Sequence, residues 1–151
     1  MDQYLMSRSA NYTIKGFLYQ FHKTLLEILN SQDDHIINIE GIVEDVEVVT
    51  PNGMTAIQCK YHEASDTFVP SGIFKPILQM MHHFYKNPDA KIVYVLFAHY
   101  PSVDNGNPPA IGKAELQNAL ASENKDLKKY AEDLHGNINL DDFITRFRME
   151  F

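Results

Sequence analysis

Residues 44–62, EDVEVVTPNGMTAIQCKYH, constrain the fold of this chain more than any other stretch. Side chains along a strand alternate between two faces. Before the Pro51-Asn52-Gly53 turn, Val46 and Val48 share one face, and Asp45 and Glu47 the other. After it, Ile57, Cys59 and Tyr61 share one face, and Gln58, Lys60 and His62 the other. An Asn-Gly pair is the strongest short-range hairpin signal, so Asn52-Gly53 is predicted as a two-residue loop. Val48 then faces Ile57, Val46 faces Cys59, Glu47 faces Gln58 and Asp45 faces Lys60. Apolar meets apolar and polar meets polar, and a slip of one residue would mix the faces.

The polar face admits two readings. Asp45 and Lys60 as a solvated cross-strand ion pair would contribute roughly 0.2–1 kcal/mol. Alternatively, the cluster holds a divalent cation. Mg²⁺ takes oxygen ligands, commonly one or two carboxylates plus waters. Asp45 offers a carboxylate, Gln58 an amide oxygen and Cys59 its main-chain carbonyl. Lys60 would orient a water and offset charge building on a phosphate.

The flanking segments frame this hairpin. Residues 12–30 place Ile14, Phe17, Leu18, Phe21, Leu25, Ile28 and Leu29 at helical spacing, with Asn11 as the expected cap. Residues 35–49 read as two short strands or one bent strand. Residues 71–87 predict an amphipathic helix capped by Ser71, starting later if Pro76 sits in its first turn. Residues 91–100, KIVYVLFAHY, read as a buried strand. A Pro- and Gly-rich loop over 101–112 leads to helices near 113–121, 124–134 and 140–145, the last capped by Asn139. The closing RFRMEF alternates like a strand and stops without a polar tail, so the chain is expected to be the N-terminal part of a longer protein. The expected order is α-β-β-β-α-β, with helices packed on a mixed sheet.

Composition excludes several classes. The chain has 151 residues, room for a single domain with its own core. Its net charge of −7 argues against a broadly basic nucleic-acid coat. The longest apolar run, residues 92–98, falls far short of the roughly 20 residues that span a bilayer. No apolar signal segment opens the chain, and its one cysteine, Cys59, fits a reducing cytosol. No zinc spacing and no phosphate-binding glycine loop is present. His82 and His83 diverge by about 100° on a helix and do not form an i, i+4 metal pair. Asp141 and Asp142 fit a helix start, and Cys59 a core position.

The Asp45…Gln58-x-Lys60 pattern within this element order resembles the PD-(D/E)XK, or restriction-endonuclease-like, nuclease superfamily. With Gly16-Phe17-x-Tyr19-Gln20, EGIVEDVEV and IQCKYH, it looks most like the DNA endonuclease domain of bacterial antiphage effectors, CBASS-type and NTPase-linked. The resemblance spans about residues 11–100 and implies an αβββαβ core with a C-terminal helical extension over 101–151. It implies cytoplasmic hydrolysis of double-stranded DNA with Mg²⁺ or Mn²⁺, and a downstream sensor or NTPase domain. It further implies homo-oligomers when active and no membrane. By position, Asp45 binds the metal, Gln58 stands where Asp or Glu is usual, Lys60 is the motif lysine and Gln20 approaches from the first helix. An amide at 58 calls for a compensating acid, with Glu47 first and Glu40 or Glu44 behind it. His62, Lys15, Lys23 and Lys75 are the candidate DNA contacts. The competing class is a catalytically inactive module of the same fold that binds nucleic acid or protein.

Overall fold

The computed structural model describes residues 3–63, 68–101, 103 and 109–151, with side chains from residue 10 onward. The protein is an α/β domain. Helix α1 (Gln3–Asn30) precedes strands β1 (Ile36–Ile39), β2 (Val46–Thr50) and β3 (Gly53–Tyr61). A 3₁₀ turn (Pro70–Ile73) leads into α2 (Phe74–Lys86) and then β4 (Ile92–His99). Helices α3 (Lys113–Leu120), α4 (Lys125–Leu134) and α5 (Leu140–Arg146) return the chain to β5 (Phe147–Glu150). The five strands form one sheet in chain order. The first three run antiparallel, while β3–β4 and β4–β5 are parallel. A parallel neighbour needs a crossover, which α2 provides for β4 and the three later helices for β5.

The hairpin forms, but its loop is Pro51-Asn52 and not Asn52-Gly53. Thr50 pairs with Gly53, Glu47 with Ala56 and Val46 with Ile57. Proline's fixed φ suits the first loop position. The Thr50 hydroxyl accepts from the Asn52 N–H (3.2 Å) and donates to the Gly53 carbonyl (3.3 Å). This register differs from the expected one by two residues. Because the side-chain period is also two, both faces survive while every partner changes. Gly53 has φ +152°. A Cβ there would lie 2.6 Å from the Lys91 carbonyl oxygen, which accepts from the Met54 N–H at 2.9 Å. Gly53→Ala should therefore lower stability by about 1–3 kcal/mol in a urea melt.

The core divides between the two sheet faces. On one, Ala56, Tyr94, Leu96 and Ala98 pack with α2 (Ile77, Leu78, Met80, Met81, Phe84) and with Leu116, Leu134 and Phe143 from the later helices. On the other, Val46, Val48, Ile57 and Val95 form a smaller cluster. There α1 lies across the sheet, with Tyr19 stacked on Phe97 at 4.7 Å and the Lys23 ammonium 4.5 Å above the same ring.

Three boundaries differ from expectation. Helix α1 starts at Gln3, so Asn11 lies inside it and caps nothing. The 3₁₀ turn absorbs Ser71, and the α2 cap position is Ile73. Pro76 is buried in the first turn of α2, where a missing N–H costs little. The segment after residue 100 is no mere helical appendage, because β5 completes the sheet beside β4. Asn124 and Asn139 cap α4 and α5 by accepting from the N–H groups of Asp126 (2.9 Å) and Asp142 (3.1 Å). No helix among the described residues is long and apolar enough to cross a membrane.

Candidate active site

Asp45 immediately precedes β2, and the two-residue register shift sets it beside Gln58 rather than opposite Lys60. Its Oδ2 accepts from the Gln58 side-chain amide at 2.7 Å and from the Cys59 main-chain N–H at 2.9 Å. Together these bonds fix the carboxylate at the end of the hairpin. Burial raises the Asp45 pKa most. The Cys59 N–H pulls it back, the Glu40 charge adds to the rise, and the Lys60 charge and Gln58 bond oppose it. Lys60 follows Gln58 on the same face, about 7 Å further along the strand. It is half-buried and, among the described residues, has no hydrogen-bond or ion-pair partner. Gln58 and Lys60 thus share Asp45's electrostatic environment.

A pocket of about 240 Å³ opens beside Asp45 and Gln58, walled by Glu40, Glu44, Val43 and Gln79. Glu40 is held there with φ +51°, a left-handed conformation uncommon for a side chain of this type. Its N–H donates to the Asp45 carbonyl at 2.8 Å, and its carboxylate accepts from the Gln20 side-chain amide at 2.8 Å. Gln20 therefore reaches the pocket through Glu40 and not by touching Asp45. Gln79 was not anticipated. Its amide donates to the Tyr130 hydroxyl at 3.1 Å, and the available signal was one polar residue inside the apolar run PILQMM.

Glu47, expected as the compensating acid, serves the loop instead. It is 3% exposed. Its carboxylate accepts from the Val43 N–H at 2.6 Å and the Asn38 amide at 3.4 Å. A Cβ at Gly41 would collide with that carboxylate, so the β1–β2 loop wraps directly over it. Glu40 and Glu44 are the acids in the pocket.

The expected DNA contacts disperse. Lys15 pairs with Glu63 at 2.6 Å. Lys23 is 5% exposed, bound by Glu27 (2.8 Å) and Glu150 (3.0 Å) beneath α1. The His62 ring stacks on Tyr100 at 4.7 Å, and burial, then the Lys60 charge, lowers its pKa, so it packs as a neutral ring. Lys75 alone of the four is exposed and without an ion pair among the described residues. Cys59 is partly buried, and burial pushes its thiol up to about 12, which leaves it unreactive.

Against this geometry the comparisons with known proteins are silent. No family model, curated protein or solved structure matches the chain.

The donors suit a cation that keeps part of its water shell. No group of three His, Cys, Asp or Glu among the described residues forms a cage. The pocket instead combines carboxylates with amide and main-chain oxygens, the hard donors that Mg²⁺ and Mn²⁺ accept. In a strand, a residue's N–H and C=O point to the same edge. Because the Cys59 N–H meets Asp45, its carbonyl emerges on that edge too, beyond the last β2 pair at Val46 and Ile57.

The Glu44 carboxyl is pushed from 4.5 up to about 8, by burial first and then by the charges of Asp45 and Glu47. The folded chain thus holds a proton that the unfolded chain releases. Glu44's contribution to stability is full below its ordinary pKa and is lost as pH rises through about 8. Glu44→Gln should match the parent near about pH 5 and melt several degrees higher near about pH 8.5, by calorimetry.

Proposed function

We propose that this chain is a metal-dependent endonuclease domain that hydrolyses double-stranded DNA, built on a restriction-endonuclease-like core. The observation that carries this reading is the Asp45 carboxylate, fixed by the Gln58 amide and the Cys59 N–H with Lys60 next on the same face. Support comes also from the α-β-β-β-α-β order and the antiparallel-then-parallel sheet that holds this hairpin at its centre.

Asp45 and the Cys59 carbonyl would hold Mg²⁺ or Mn²⁺, with Glu44 or Glu40 in the acid position that Gln58 leaves vacant. When bound, the ion supplies a Lewis acid and a water of lowered pKa. Gln58 orients Asp45 by donating to Oδ2, so its role in this site is to aim the carboxylate. Lys60 brings an ammonium to the scissile phosphate, where it stabilises developing charge and steadies the attacking water. Gln20 fixes Glu40 at the pocket wall. A downstream sensor or NTPase module remains the implied partner, because the net charge of −7 and Lys75 as the one candidate lysine exposed without an ion pair among the described residues give the isolated domain little grip on duplex. The test is conversion of supercoiled plasmid to nicked and linear forms with Mn²⁺ or Mg²⁺, compared across substitutions at positions 45 and 60.

A further inference from the structure

The apolar stripe of α1 points away from the sheet. Tyr19 and Lys23 occupy the side that meets Phe97. The stripe from Ile14 to Leu29 lies opposite, at 100° per residue, and its seven side chains are each 45–73% exposed. Together they leave on the order of 600–800 Å² of apolar residue surface in water, taking roughly 150–200 Å² for each whole side chain. That exceeds the largest patch of a typical monomer, about 300–600 Å². It matches the roughly 800 Å² that each partner contributes to a standard interface.

We propose that α1 pairs with α1 of a second copy of this chain, antiparallel, across a twofold axis at Phe21. One row along the stripe runs through Ile14, Phe17, Phe21, Leu25 and Ile28. Their spacing of three, four, four, three reads the same in both directions. An antiparallel twofold pair needs this self-complementarity: if residue i meets j, then j meets i. Phe21 meets its own copy, Phe17 meets Leu25 and Ile14 meets Ile28. A groove of about 390 Å³ beside the stripe, walled by Phe17, Phe21 and Ile39, gives a partner side chain a hole to enter.

Charge favours the same occupant. The charged residues of this stretch lie off the stripe: Lys23 and Glu27 pair with each other, and Lys15 pairs with Glu63. Two acidic molecules can therefore meet here without opposing charges of like sign. A nucleic acid or an anionic membrane would need free cations flanking the face, and Lys15 and Lys23 beside it are already paired with carboxylates. The pairing does not depend on the cutting chemistry, and its test does not read cutting.

The full chain at roughly 100 µM, above the micromolar Kd limit usual for an interface of this size, should sediment at twice 17.3 kDa. Phe21→Glu sets two carboxylates face to face and should sediment as a monomer with an unchanged circular dichroism spectrum. Phe21→Cys should oxidise to a disulfide-linked dimer, while Leu26→Cys, off the stripe, should not. A monomeric parent at that concentration, a Phe21→Glu variant that stays dimeric, or equal crosslinking through both cysteines would each overturn the proposal.

Discussion

Lys60→Ala should cut plasmid DNA at least about 10²-fold more slowly than the parent, the usual loss when a group that stabilises transition-state charge is removed. The fold should be untouched, because the Lys60 side chain is half-buried and bonds no described residue. Asp45 needs a gentler substitution. Alanine there would strand the Gln58 amide and the Cys59 N–H, and an unsatisfied buried donor costs about 1–3 kcal/mol. Asp45→Asn keeps an oxygen for both donors and removes only the negative charge. It should retain the parent's melting temperature and lose cutting about 10³-fold or more, consistent with about 4 kcal/mol of transition-state stabilisation. The assay uses Mn²⁺ and Mg²⁺. Parental cutting rates in both variants would sink the nuclease reading. Duplex binding that survives in a chain that never cuts would favour the inactive-module class instead.

Phe143→Ala should cost about 3–5 kcal/mol, a large part of the 5–15 kcal/mol that holds a typical domain together. Phe143 is fully buried. Its ring lies 5.6 Å from Phe84 of α2, 5.9 Å from Tyr94 of β4 and 5.5 Å from Phe147 of β5. One side chain thus ties α5 to the crossover helix α2, to β4 and to the last strand. Truncation would leave a cavity that three separate elements must close. The readout is the urea midpoint with the slope unchanged. A loss below about 1 kcal/mol would show that the C-terminal helices sit on the domain without sharing its core.

Much of the site was legible because its signals are local. The alternation of EDVEVV and AIQCKYH placed Asp45, Gln58 and Lys60 on one face, and that assignment stands in any register displaced by an even number of residues. What alternation leaves open is which residue meets which. Asp45 beside Gln58 follows from Pro51 at the first loop position and from Gly53 fitting against the Lys91 carbonyl. Lys91, immediately before β4, is brought to β3 only through α2. Glu47 illustrates the same limit. Alternation assigns its face, yet whether a carboxylate on that face meets a cation or a backbone N–H depends on how residues 41–43 fold over it. Lys23 reads as a helix-surface lysine until Glu150, 127 positions later, arrives on β5 to pair with it.

The sequence by itself determined the period of each element, the asparagine cap of α5, the sidedness of the hairpin and the existence of an apolar stripe on α1. These depend on neighbours within about one turn or one strand, where backbone geometry sets which side chains share a face. Only the tertiary structure decided the hairpin register, the acids that wall the Asp45 pocket and the direction in which the stripe points. A periodic row of Ile, Leu and Phe states that water must be excluded from one side of a helix. It does not state whether the chain's own sheet or another molecule excludes it. Here Tyr19 and Lys23 take the sheet side through Phe97, and the stripe stays exposed.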